Sequence, residues 1–145
     1  MDPQDMSVIR TGIVETPIST DDLEPGVVTP EHGAAVTFSG IIRDHDSGRG
    51  VERLVYESHP LAETQIAEVA AAVAAAHPEV RLSVVHRVGA LSIGDVALAA
   101  VVASAHRREA FAACAALVDE VKDKVAIWKH QYFSDGEDEW VGALE

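Results

Sequence analysis

Three groups of cations stand in this chain where they can hold an anion: Ser104-Ala105-His106-Arg107-Arg108, then Lys122, then Ile127-Trp128-Lys129. The chain is strongly acidic, with 11 Lys+Arg against 24 Asp+Glu and a formal net charge of -13. Cations gathered at the ends of elements in such a protein indicate a local need for positive charge. His106-Arg107-Arg108 follows an apolar run and opens a helical one. Backbone N–H groups are free at such a junction, the helix dipole favours negative charge there, and arginine adds a planar donor fork suited to phosphate. Two solvated arginines are the plainer reading, but cations are disfavoured at a helix N-terminus unless an anion offsets them. Arg43 ends another apolar run just before a Gly-bearing loop, a frequent ligand position and equally an ordinary place for a solvated charge. Lys122 falls in the last turn of a helix, where it either complements the dipole or serves a site. Lys129 follows Trp128, and an indole wall excluding water would make this amine a usable acid or base near neutrality.

One distance limits how these groups can cooperate. Arg107 and Lys122 lie fifteen residues apart on one expected helix, roughly 22 Å at ~1.5 Å rise per residue. A single small pocket cannot hold both from one copy. Either the two serve opposite ends of a long groove, or a symmetric dimer brings the Arg107 of one copy to the Lys122 of the other; the dimer is the expectation adopted here. The remaining histidines, His32, His45, His59, His77, His86 and His130, show no metal-ligand spacing. Cys114 falls on an apolar stripe and reads as core. There is no Gly-rich phosphate loop and no triad signature.

The elements that must position these groups follow from periodicity. Residues 8–14 alternate weakly as a strand, and Ser19 caps a short helix that stops near Pro25-Gly26. Residues 34–42 are apolar and β-branched and read as a buried strand; residues 44–50 read as a polar loop, and 51–56 as a hairpin partner. A helix opens at Pro60 and ends before Pro78, with Ile66, Val69, Ala70 and Val73 on one stripe. Residues 81–88 form a strand, Gly89 and Gly94-Asp95 punctuate a turn, and residues 96–103 are apolar enough to be central in a sheet. A second long helix spans about 107–125, with Phe111, Cys114, Val118, Val121 and Val125 as its buried stripe. Residues 127–133 and 140–141 are strands around a turn at Ser134-Asp135-Gly136. Mixed strands and two long helices with hairpin-like pairs favour α+β over a doubly wound sheet.

At 145 residues, 48% of them hydrophobic, the chain reads as one globular domain spanning residues 1–145. Its acidic balance argues against nucleic acid and against an anionic membrane. No apolar run reaches ~18 residues, so no transmembrane helix is expected. Met1-Asp2-Pro3-Gln4-Asp5 lacks the order of a signal peptide. A single cysteine fits a reducing cytoplasm, the expected location.

Laid out together, these residues resemble the large, catalytic subunit of molybdopterin synthase, the MoaE family. The resemblance runs from about Gly33 to Val141. Its parts are Gly33-Ala34-Ala35-Val36-Thr37-Phe38-Ser39-Gly40, Ile42-Arg43-Asp44-His45, His86-Arg87-Val88-Gly89, Gly94-Asp95, Ser104 through Phe111, Lys122, Ile127-Trp128-Lys129 and Trp140-Val141. It implies an α/β-hammerhead-like fold with a mixed or antiparallel sheet. It also implies a homodimer within a heterotetramer, each end binding a small ubiquitin-like sulfur carrier whose Gly-Gly tail ends in a thiocarboxylate. The implied substrate is cyclic pyranopterin monophosphate, precursor Z, which receives two sulfurs to form the dithiolene of molybdopterin while its cyclic phosphate opens. On this resemblance Lys122 sits at the thiocarboxylate and Lys129 acts on the pterin side, as acid/base or oxyanion partner. Ile41, Ile42, Arg43, His106, Arg107, His130 and Gln131 bind substrate, and Phe38 either shapes the pocket wall or is plain core. No metal or organic cofactor is implied, because the sulfur arrives already activated.

Two departures from the family pattern stand out. Gln131 occupies a position that is acidic in many members, and the basic residue that often follows Trp140-Val141 is missing. They motivate an alternative reading, a non-catalytic module that binds a ubiquitin-like carrier tail. A third reading is a phosphate-ligand sensor needing no carrier. The set Arg43, His106, Arg107, Lys122 and Lys129 favours the enzyme, since a scaffold has no need of all five.

Overall fold

The computed structural model describes residues 7–142. In chain order it runs β1 (Val8–Val14), α1 (Thr20–Leu23), β2 (Ala34–Ile41), β3 (His45–Asp46), β4 (Arg49–Ser58), α2 (Ala62–Ala76), β5 (Arg81–Arg87), β6 (Gly89–Ser92), β7 (Val96–Ser104), α3 (Arg107–Lys124), β8 (Ile127–Phe133) and β9 (Asp138–Val141). The fold is α+β, as the mixed pattern predicts.

The strands form two sheets. The first has the order β1-β5-β7-β2, with β1 and β5 parallel and the other pairs antiparallel. β7 is central and buried from Ala97 onward. Its alternation divides the core in two. Leu98, Ala100 and Val102 face α2 and α3, packing with Ile66, Val73, Leu117 and Val121. Ala99, Val101 and Ala103 face the opposite side, where Leu23 of α1 and Val27 cover them. The second sheet has the order β3-β4-β8-β9, with β6 also paired to β4. A small cluster of Ile42, Leu54, Leu91 and Ala97 joins the two sheets.

Several expectations need correction. β2 is an edge strand, half-buried in strict alternation rather than buried throughout; one face packs under the helices and the other stays open. Residues 51–56 do not pair with β2. The register breaks between Gly40 and Ile41, the chain leaves the first sheet, and β4 pairs with β3, β6 and β8 instead. Residues 44–50 are a tight hairpin rather than a loop: Ser47 and Gly48 both take positive φ, 51° and 79°, the combination that turns a two-residue hairpin with the natural strand twist. The turn expected at Gly89 begins a strand, β6. On α3 the buried face runs through Ala110, Ala113, Cys114, Leu117 and Val121, and Phe111 is 60% exposed. Small alanines let α3 sit close to the sheet, and this rotates the bulky aromatic outward.

Candidate active site

A cavity of about 410 Å³ opens at the C-terminal end of α3, between the two sheets, within the range of small-molecule sites. Its walls follow from strand alternation. On β8, Ile127, Lys129 and Gln131 face the cavity, while Trp128, His130 and Tyr132 take the other face. The last turn of α3 contributes Val121 and Lys122, and the helix stops where Val125 becomes extended. The exit from β2 brings Ile41, Ile42 and Arg43; Tyr56 comes from β4 and His86 from β5.

Arg43, Lys122 and Lys129 therefore converge on one chamber from three elements. Among the described residues, Asp46 is the sole carboxylate in its lining. Gln131 donates to Asp46 at 2.8 Å and reaches Glu139 at 3.2 Å. Arg43 pairs loosely with Asp46 at 3.7 Å. The Gln131 hydrogen bond holds the Asp46 carboxyl below its ordinary range, aided by the charges of Lys129, Arg43 and His45 and opposed by desolvation. Burial pushes the Tyr56 phenol up. Burial also drives His86 down to about 4, with the Lys122 charge lowering it further and the Arg87 carbonyl opposing.

His106 and Arg107 are elsewhere. With Gly33, Arg108, Glu109 and Phe111 they line a separate open cleft at the N-terminal end of α3. His106 occupies the N-cap in extended conformation without a side-chain cap bond, which leaves first-turn N–H groups directed outward. Gly33 packs so tightly on this junction that a Cβ would lie 2.7 Å from the Ala105 carbonyl oxygen; glycine is required for the approach. α3 is continuous between the clefts, so the spacing read from the sequence, roughly 22 Å, stands within one copy.

Three other residues are placed as follows. Ile41 is open to solvent at the cavity rim, whereas Ile42 is buried in the cluster between the sheets. Phe38 is half-buried against the helix-covered core, its ring beside Gly40 at the cavity's edge. His130 lies on the face of β8 away from the chamber, stacked on Trp140 with ring centroids 4.3 Å apart and hydrogen-bonded to Asp138. The indole wall expected over Lys129 is not there: Trp128 takes the opposite face of the strand and tilts toward His59. Adjacent strand residues cannot shield one another, because alternation sends them apart.

Sequence reasoning missed His86, Tyr56 and Asp46. The signal for His86 was available: in β5 it continues the row Leu82, Val84, His86, and a histidine on the apolar face of a core strand marks the place where helix cover ends.

Two sheets with fixed cations at a chamber between them, and a second arginine-bearing cleft at the far end of one helix, form a scaffold suited to an anionic ligand. Residues 13–124 match the family model described as MoaE protein. The chain is 37% identical over 131 residues to the molybdopterin synthase catalytic subunit of Staphylococcus carnosus, covering 90% of this chain and 87% of that one. The crystal structure of molybdopterin synthase from Staphylococcus aureus superposes with a TM-score of 0.83 at 34% identity, over 90% of this chain and 95% of the other. The complex of subunits 1 and 2 of molybdopterin-converting factor from Helicobacter pylori shares the fold, with a TM-score of 0.71 at 20% identity over 93% and 90% of the two chains. The chain belongs to the MoaE family.

Proposed function

We propose that this chain is the catalytic subunit of a molybdopterin synthase and transfers sulfur from a thiocarboxylated ubiquitin-like carrier to precursor Z. The observation that carries this reading is the chamber itself. In a chain of net charge -13, three cations from separate elements face one cavity whose lining holds, among the described residues, a single carboxylate, and that carboxylate is already engaged by Gln131. Two anions, a phosphate ester and a thiocarboxylate, need such a place to meet, because fixed charges offset their mutual repulsion without reorganisation.

In this reading the carrier tail enters the chamber and its thiocarboxylate lies beside Lys122. Lys129 serves the pterin side, and Arg43, flanked by Ile41 and Ile42, binds the substrate. His106 and Arg107 complete the site from a second copy across a homodimer, and exposed Phe111 beside them lies on the surface that copy covers. Gln131 acts by holding Asp46, which keeps that carboxylate from competing for the lysines. His130 supports the strand from behind. The catalytic dimer with a carrier at each end makes a heterotetramer; the Helicobacter pylori structure, a complex of subunits 1 and 2, supports the pairing with a second subunit. Among the described residues no helix is long and apolar enough to cross a membrane; a cytoplasmic location is part of the proposal.

The deciding experiment mixes the protein with precursor Z and thiocarboxylated carrier and reads out molybdopterin. Product under single-turnover conditions is the expected result. Tight carrier binding without product would replace the enzyme with a binding module.

A further inference from the structure

The chamber holds a titratable side chain to which the sulfur-transfer reading gives no task. His86 enters from β5 against the Tyr56 ring of β4, in a lining it shares with Lys122 of α3, whose charge acts on it. Its Nδ1 lies 2.7 Å from the Arg87 carbonyl oxygen. A carbonyl only accepts, so Nδ1 carries the proton. The Tyr56 ring meets the imidazole edge to face, with centroids 5.0 Å apart, and fixes its plane. Burial keeps the ring neutral at physiological pH, with its pKa down to about 4. A neutral imidazole protonated at Nδ1 has its lone pair at Nε2. Among the described residues, the other charged or titratable groups of the chamber are Arg43, His45, Asp46 and Lys129. Asp46 is held by Gln131 and Arg43, and His45 by Asp44.

We propose that His86 is a positioning residue for Lys122: its Nε2 accepts a hydrogen bond from the lysine ammonium and aims that charge into the chamber. Lys122 stands on an exposed last turn with a flexible four-carbon stem, and an ammonium free to sample rotamers is a poor electrostatic device. A fixed neutral acceptor orders it without adding a competing charge. A carboxylate in the same place would order the lysine too, but would neutralise it against an incoming anion. The consequence for rate rests on the role proposed for Lys122 in sulfur transfer; the Nδ1 bond to Arg87 that leaves Nε2 free to accept does not.

The test separates the two ring nitrogens. In His86→Asn the amide replaces Nδ1 and keeps a donor for Arg87, but nothing stands at Nε2. In His86→Gln the longer side chain places an acceptor near Nε2. Single-turnover sulfur transfer should fall about tenfold or more in the Asn variant, the size expected for losing one hydrogen bond to a charged group, in kcat rather than in the KM for precursor Z. The Gln variant should restore most of that loss. An Asn variant at least as active as the Gln variant overturns the proposal, because an acceptor at the Nε2 position would then make no difference. A second measurement needs neither turnover nor a change at position 86. In protein labelled with ¹⁵N-histidine, the His86 Nε2 resonance should be that of a hydrogen-bonded acceptor and should move toward that of a free imidazole nitrogen in Lys122→Met. An unmoved resonance overturns the proposal even if Lys122 proves essential to sulfur transfer.

Discussion

The carboxamide of Gln131 donates to the Asp46 carboxylate at 2.8 Å, tying the β3–β4 hairpin to a strand that begins more than eighty residues later. This contact gives the departure from the family pattern a physical meaning. A carboxylate at position 131 would face Asp46 and Glu139 together, whereas an amide donates to both. Gln131→Glu should therefore destabilise the protein by about 1–3 kcal/mol at neutral pH, from a lost donor and a new like-charge contact. Chemical denaturation at pH 7 measures this, and the loss should shrink at acidic pH as the added carboxyl takes up a proton.

Lys122→Ala should abolish conversion of precursor Z when thiocarboxylated carrier is supplied, with little change in thermal stability because the side chain is exposed on the last turn of α3. Molybdopterin formed per enzyme is the readout, and near-normal turnover would remove Lys122 from the reaction.

Arg107→Ala should weaken binding of precursor Z by about 1.5–3 kcal/mol, the value of one charged hydrogen bond. Mixing this variant with Lys122→Ala tests the shared site. If each site takes Lys122 from one copy and Arg107 from the other, half of randomly exchanged dimers are hybrids with one intact site of two, and at precursor Z concentrations too low to fill the Arg107→Ala sites about a quarter of wild-type activity returns. No recovery after verified subunit exchange would confine each site to one chain. A solution mass equal to one chain would do the same.

His86 makes stability depend on pH. Its folded-state pKa of about 4 lies below the ordinary 6.5. Between these values the unfolded chain binds the extra proton, so stability rises with pH across the window and is lost as pH falls through it. At pH 5 the cost relative to neutrality is about 2 kcal/mol from this group. Denaturation midpoints at pH 5 and 7 should converge in His86→Gln relative to wild type, once the shared carboxylate contribution is subtracted. An unchanged difference would show that His86 titrates normally in the fold.

Much of this architecture was legible in residue order, and the failures have specific causes. The central strand β7 announced itself through an unbroken apolar run, and the α2 stripe through its spacing. Phe111 misled because size was taken for burial; the close approach of α3 depends on alanines at 110 and 113, which carry little hydrophobic signal. The hairpin at Ser47-Gly48 looked like a loop because serine rarely adopts positive φ. Lys122 and Lys129 could be paired from sequence, since only a helix end separates them. The row Leu82, Val84, His86 marked His86, but neither its neighbours in the chamber nor Asp46 could be read, because strand pairing across long separations brings them together and local pattern does not record it.

One element carries both clefts, and this gives α3 a duty unrelated to its packing. An α-helix turns about 100° per residue and advances ~1.5 Å. A single insertion or deletion between Arg107 and Lys122 would swing the amine to another side of the helix while the far cleft stayed in place. The segment works as a gauge rod, and its residue count should tolerate change less readily than most of its side chains.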